Sequence, residues 1–205
     1  IGYIALSTAT TADGNTAVGR EALRDTTTGA SNTAVGKEAL KLNTTAANNT
    51  AVGYHALNLN TTGTGNVAVG TTALDANTTG DYTVAVGRNA LTAQTTGGNN
   101  TAIGDSALAA NTTASNNTAV GYGALIANIT GAGNVAIGAL ALDTSTAISN
   151  TIAIGKGSLT ANTTGVSNTA VGHEALGANT SGGENVAMGY GVLDANTTAS
   201  NNTGV

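Results

Sequence analysis

Residues Gly53 to Val69 read G-Y-H-A-L-N-L-N-T-T-G-T-G-N-V-A-V, and this 17-residue pattern runs through the whole chain without insertion or deletion. Its glycine recurs at Gly2, Gly19, Gly36, Gly53, Gly70, Gly87, Gly104, Gly121, Gly138, Gly155, Gly172 and Gly189. Self-similarity at a fixed period is typical of stacked supersecondary units and not of a globular domain. Positions one to seventeen are counted from that glycine in every repeat.

Three apolar columns stand out when the repeats are aligned. Position five is leucine in all twelve repeats, position fifteen is always β-branched, and position seventeen is Val or Ile except at Met188. Residues two apart on a strand point to the same face. We therefore expect the leucines and both β-branched columns to point inward, and the position-sixteen alanines between them to point away.

The segment N-T-A-V-G predicts one short β-strand per repeat, paired in parallel with its copies at about 4.8 Å. The A-L-x-x segment suits either a helical turn or a second short strand, and we favour the strand. The expected fold is all-β, a parallel β-solenoid (β-roll) of twelve 17-residue turns. Residues 1–205 form one repeat array, which we interpret as a segment of a longer fibrous protein.

Position fourteen is asparagine in ten of the twelve repeats, with Thr83 and Thr151 as the exceptions. Stacked side-chain amides can hydrogen-bond along the rod as a ladder. An asparagine can equally close a turn on its own backbone. The sequence leaves both interpretations open.

The alanine column also suggests how chains associate. Small side chains allow backbones of neighbouring subunits to approach closely, so we expect a homo-oligomer, most simply an intertwined or side-by-side homotrimer. Three inward apolar side chains per turn contribute about 5–8 kcal/mol, which is little for ordering a 17-residue turn at about 1.5 kcal/mol per residue.

Composition excludes several classes of function. A net charge of −5 without a basic stripe argues against nucleic-acid binding. No apolar run approaches the roughly 20 residues of a membrane span. Charged residues make up 8% of the chain, and the absence of cysteine leaves the redox compartment open.

Catalytic, cofactor-binding and metal-binding residues are not indicated. His55 and His173 occupy different repeat positions seven turns apart, and we expect both to be exposed bystanders. Glu21 and Glu38 stack beside Arg20 and Lys37, which suggests a solvated charge patch. The N-T-T tripeptides match the acceptor pattern for N-linked glycans, although corner chemistry explains them more simply.

A longer period of four repeats places tyrosines and cations at position two. This spacing would present them about every 19 Å along a rod. Recent duplication explains it most simply, but regular aromatic and cationic points also suit a polymeric partner such as a polysaccharide. The candidate polymer-contact residues are Tyr54, Tyr122, Tyr190, Arg20, Arg88 and Lys156.

The pattern N-T-A-V-G-x-x-A-L, as in Asn32 to Leu40 and Asn117 to Leu125, resembles the head repeats of trimeric autotransporter adhesins. It is also similar to repeats of bacterial and phage tail-fibre-like proteins. The typical adhesin head repeat is shorter, because N-T-T-G lengthens each turn here. The resemblance implies a left-handed parallel β-roll of three chains, exposed on a cell or virion surface and used for attachment.

These observations predict a non-enzymatic structural and adhesive segment of an extracellular surface fibre, which mediates attachment or spaces a distal binding tip. Its expected partners are further copies of itself and a host-surface or polysaccharide ligand. The alternative is a ligand-array solenoid that binds polysaccharide or ice. Against ice, the adjacent threonines at positions nine and ten should face opposite sides of a strand instead of forming a T-x-T plane.

Overall fold

Each repeat forms one strand at positions fifteen to seventeen in the computed structural model, which describes all residues 1–205. The strands are β1 (Thr16–Val18), β2 (Thr33–Val35), β3 (Thr50–Val52), β4 (Val67–Val69), β5 (Val84–Val86), β6 (Thr101–Ile103), β7 (Thr118–Val120), β8 (Val135–Ile137), β9 (Ile152–Ile154), β10 (Thr169–Val171), β11 (Val186–Met188) and β12 (Thr203–Gly204). They form one sheet in chain order. The remainder of each repeat is turn and bend, and there is no helix.

Neighbouring strands are parallel and stack in strict register. Ala85, for example, lies between Ala68 and Ala102, each 17 residues away. Of 128 backbone hydrogen bonds only 22 lie within the strands, so the turns are also bonded to the turns above and below them. The predicted parallel β-solenoid and its N-T-A-V-G strand are confirmed.

The core is built from leucines and alanines. Ten of the position-five leucines, from Leu23 to Leu176, are fully buried, which confirms that this column points inward. The position-sixteen alanines from Ala34 to Ala187 are fully buried too. The β-branched columns face outward, with Val35 37% and Ile103 41% exposed. Our expectation that the β-branched columns point inward and the alanines outward is therefore wrong.

The narrowness of the coil explains this reversal. A Cβ added to Gly204, the one glycine at position sixteen, would lie 2.7 Å from Cγ1 of Val192 and 3.2 Å from Cγ of Leu193. The space between strand and leucine turn therefore admits a methyl group and little more. In the last turn, Val192 replaces the usual alanine at position four while Gly204 replaces alanine at position sixteen, so a larger residue is matched by a smaller one.

The A-L-x-x segment is a turn, and both alternatives considered for it, strand and helical turn, are wrong. Its leucines adopt left-handed backbone angles, with φ of 52° at Leu91, and so do residues at position three such as Asn89, with φ of 56°. A left-handed residue other than glycine costs about 1–2 kcal/mol. Burial of the leucine side chain, worth about 1.5–3 kcal/mol, offsets that cost. The Leu91 N–H also donates to the carbonyl of Ala107 in the next turn, at 3.0 Å.

Glycine at position one is required by both conformation and contact. Gly87 has a φ of +139°, where side chains are strained. A Cβ there would overlap the carbonyl oxygen of Gly104 directly above it in the stack. The strict recurrence of this glycine therefore reflects the close approach of successive turns.

The inward orientation of the alanine column can be tested by enlarging one residue. Replacing Ala102 with Leu overpacks the core, and we expect a loss of about 1–3 kcal/mol in the free energy of unfolding. Ile103→Leu, on the neighbouring outward residue, should change it by no more than about 0.5 kcal/mol. Chemical denaturation followed by circular dichroism measures both. Equal losses in the two variants would contradict the assigned faces.

Candidate functional site

The six candidate polymer-contact residues are exposed and occupy position two, which follows the strand and its glycine in each repeat. They form one column along the edge of the rod. Tyr54, Tyr122 and Tyr190 are 45%, 60% and 79% exposed. The structure thus brings all of them to one side of the molecule but keeps them whole turns apart. This column, position two of every repeat, is called the edge column.

The three candidate tyrosines in the edge column have different surroundings. The Tyr54 ring stacks on His55 with 4.0 Å between centroids, and Nζ of Lys37 lies 5.2 Å from its centroid. Tyr190 stacks on His173 at 5.3 Å, whereas Tyr122 has no aromatic partner. Both histidines are therefore packed against a tyrosine and are only partly exposed.

The three candidate cations in the edge column also differ in their partners. Arg20 pairs with Glu21 at 3.1 Å, and Arg88 pairs with Asp105 of the next turn at 2.6 Å. Lys156 is exposed. The hydrogen bond from Arg88 is the largest cause that lowers the pKa of Asp105, and a hydrogen bond from Ser106 is the next. A ligand that used Arg88 would compete with this carboxylate.

Lys41 at position six connects the charge patch predicted around Glu21 and Glu38. Its Nζ lies 2.9 Å from Glu21 and 3.0 Å from Glu38. The hydrogen bond from Lys41 is the largest cause that lowers the pKa of each glutamate, and Arg20 and Lys37 add to it. The Glu21 side chain is only 10% exposed, so this carboxylate is less solvated than the sequence suggested. The cluster joins two successive turns through ion pairs.

Buried asparagines form two columns inside the rod. At position fourteen the side chain bridges adjacent turns: Asn117 donates from Nδ2 to the carbonyl of Gly131 at 2.8 Å and accepts from the N–H of Asn134 at 2.9 Å. The bonds run along the axis but mostly to backbone, so neither the amide ladder nor the local turn describes them fully. Direct amide-to-amide bonds occur at Asn49 and Asn202.

The second column, at position eight, was missed by the sequence analysis. Asn77 is fully buried and donates from Nδ2 both to the carbonyl of Gly80 at 3.0 Å and to Oδ1 of Asn60 at 2.9 Å. These asparagines begin the N-T-T tripeptides. Because their amides are buried and bonded in the core, the fold does not offer them as glycan acceptors.

The threonines that follow divide into two columns. Position-nine hydroxyls bond to the next turn, as Thr61 Oγ1 does to the carbonyl of Thr78 at 2.9 Å. Position ten is exposed at every turn. The two columns therefore do not form a flat T-x-T plane, in agreement with the sequence argument.

Other chemical groups are sparse. The structure contains no group of three or more potential metal ligands and no helix that could cross a membrane. One open groove, lined by Thr160, Glu174, Gly177, Ala178 and Asp194, lies near the C-terminal end. Comparisons with family models, curated proteins and solved structures find no match.

The asparagine columns should be essential for stability. Asn117→Ala leaves the N–H of Asn134 without its partner, whereas the carbonyl of Gly131 keeps a second donor, Nδ2 of Asn128 at 3.0 Å. One buried orphan costs about 1–3 kcal/mol, and we expect a loss of this size in the free energy of unfolding. Thr113→Ala, in the exposed column at position ten, should lower the free energy of unfolding only slightly. A stability of Asn117→Ala close to that of the control would contradict the bridging role.

Asp75 predicts a pH dependence of stability. Burial raises the pKa of this carboxyl, its Oδ1 has no hydrogen-bond partner, and His55 opposes the shift only partly. A raised folded pKa means that the folded state binds the proton more tightly than the unfolded state. Stability is therefore favoured at acid pH and lost as pH rises through the folded pKa.

Asp75→Asn should accordingly raise the melting temperature at pH 7, because it removes a buried charge. The gain should shrink as pH falls through the raised folded pKa and vanish below the ordinary carboxyl value of 3.8, where Asp75 is neutral in both states. Asp194→Asn, in the same repeat position but exposed, serves as the control. Calorimetry across this pH range measures both, and a gain that does not depend on pH would contradict the assignment.

Proposed function

We propose that this chain is a structural and adhesive repeat segment of an extracellular surface fibre, which mediates attachment or spaces a distal binding tip. The observation that carries the proposal is the in-register stack. Every turn repeats the same outward positions, so a rod of about 53 Å multiplies one weak contact along its length. The chain's length sets both the reach of the rod and the number of contacts.

The edge column supports an adhesive role. Its tyrosines are exposed apolar rings that carry a polar tip, a combination enriched at binding surfaces. Tyr190 is the most exposed of the three, Tyr122 is the one without an aromatic partner, and Tyr54 is already engaged by His55 and Lys37. A host-surface or polysaccharide partner remains a prediction, and a neutral polymer suits the mixed charges of this edge better than a strongly charged one.

The surface location and the homotrimer rest on other arguments. The location follows the resemblance of N-T-A-V-G-x-x-A-L to adhesin head repeats. The argument for a trimer from an outward alanine column no longer holds, since these alanines fill the core of a single chain. A homotrimer therefore remains a prediction that light scattering can test directly.

Removing residues 70–137, four whole repeats, joins Val69 to Gly138 and preserves the register of the stack. We expect the shortened chain to fold and its rod to lose about 19 Å in electron micrographs. Particles coated with equal numbers of each chain are then tested for attachment to cell surfaces and immobilised polysaccharides. Adhesion through the repeats should weaken with the turns removed.

Two outcomes decide between parts of the proposal. If particles coated with the full chain attach no better than uncoated ones, the repeats are not adhesive and only the spacer role survives. If the shortened chain does not fold, the turns are not interchangeable and the spacer role is wrong as well. Removal of residues 70–140 takes out three residues more than four whole repeats and so breaks the register. This variant is the matched control that shows whether folding depends on the register.

A further inference from the structure

The side chains at positions fifteen and seventeen lie on the outward side of the sheet, here called the outer sheet face. It carries two residues per turn over twelve turns, and all of them except Met188 are β-branched. We expected these side chains to point inward, but they point outward. None of these residues is charged or aromatic. The exposed members include Val52, Ile103 and Ile137, at 36%, 41% and 38%.

The outer sheet face is a regular lattice. Strands pair residue for residue along the whole sheet, from Thr16 opposite Thr33 to Val186 opposite Thr203, without a bulge. Side chains therefore repeat about every 4.8 Å along the axis and about 6.6 Å across it. Because β-branched side chains have restricted χ1 angles, the positions of their methyl and hydroxyl groups are largely set before any ligand binds.

The face also offers free hydroxyl groups. Position fifteen is threonine in seven turns: Thr16, Thr33, Thr50, Thr101, Thr118, Thr169 and Thr203. Their hydroxyls have no partner within the protein, in contrast to Thr61, whose hydroxyl bonds to the next turn. Methyl groups restrict the orientation of adjacent water, and hydroxyl groups can both donate to it and accept from it.

A protein partner fits this face less well. With strands of about 10 Å and a stack of about 53 Å, it spans only about 500 Å², below the roughly 800 Å² per partner of a standard protein interface. It also lacks the Trp, Tyr and Arg anchors that dominate binding energy between proteins. A neutral face without anchors matches a neutral ligand that is itself planar and periodic.

We propose that the outer sheet face binds ice, the periodic and electrically neutral lattice of water. Ordered methyl groups hold the first water layer in register, and the free threonine hydroxyls hydrogen-bond to it. This activity goes beyond the structural and adhesive role and does not require the chain to be part of a fibre. The relevant threonines are those of the strand, and not the adjacent pairs at positions nine and ten.

The test introduces three lysines on the outer sheet face: Val52→Lys, Ile103→Lys and Ile137→Lys in one chain. The control variant carries the same added charge in the same three turns, on the exposed position-ten column: Thr45→Lys, Thr96→Lys and Thr130→Lys. Thermal hysteresis, the gap between melting and freezing points of a seeded ice crystal, is measured for all three proteins. Circular dichroism and melting temperature confirm that each remains folded.

We expect thermal hysteresis in the unmodified chain, its loss in the sheet variant and its retention in the control variant. Absence of thermal hysteresis in the unmodified chain, or equal loss in both variants, overturns the proposal. It is also overturned if light scattering shows an oligomer that only the sheet variant dissociates, since a second copy then covers the face. The attachment of coated particles is measured separately, so failure here leaves the proposed adhesive role untouched.

Discussion

Hydrogen bonding between successive turns is the constraint on which the rest of this structure depends. A three-residue strand is too short to be stable alone, and most backbone bonds lie outside the strands. Buried amides such as Asn77 and Asn117 bond the turn to its neighbours from inside. A single inserted residue would misalign every such bond above it, which explains a period without insertion or deletion.

Close stacking around a narrow core decides which residues can face inward. Opposite each buried leucine only a methyl group fits, as the pairing of Val192 with Gly204 illustrates. The larger β-branched side chains therefore stand outside, although their hydropathy alone would place them in the core. Polar asparagines fill the remaining interior because each has partners in the adjacent turn, and a buried amide with its bonds satisfied is tolerated.

The period, the parallel strand and the inward leucines could be predicted because each depends on a regular column in the sequence. The direction of the alanine column could not, since alternation along a strand defines two faces without saying which is buried. The left-handed turn at Leu91 contradicts the backbone preference of leucine and forms because the side chain is buried and the turn above accepts its N–H. The second column could have been recognised from the recurrent asparagine at position eight. Its neighbours, such as Thr61 and Thr62, are typical of loops, so the segment was interpreted as a corner.

The division between constrained and free positions also bears on function. Glycine at position one, leucine at five, the asparagines and the alanines are required by stacking, so their recurrence carries no information about a ligand. Position two varies from turn to turn and holds four of the five tyrosines and several charged groups, which is what an adaptable contact surface needs. Positions fifteen and seventeen are exposed yet remain almost uniformly β-branched. Stacking does not demand that uniformity at an outward site, because Met188 is accommodated there. β-Branched residues are favoured in strands whatever the face binds, so the support for the proposed ligand comes from the regular spacing and free hydroxyl groups of the outer sheet face and not from the recurrence of residue type.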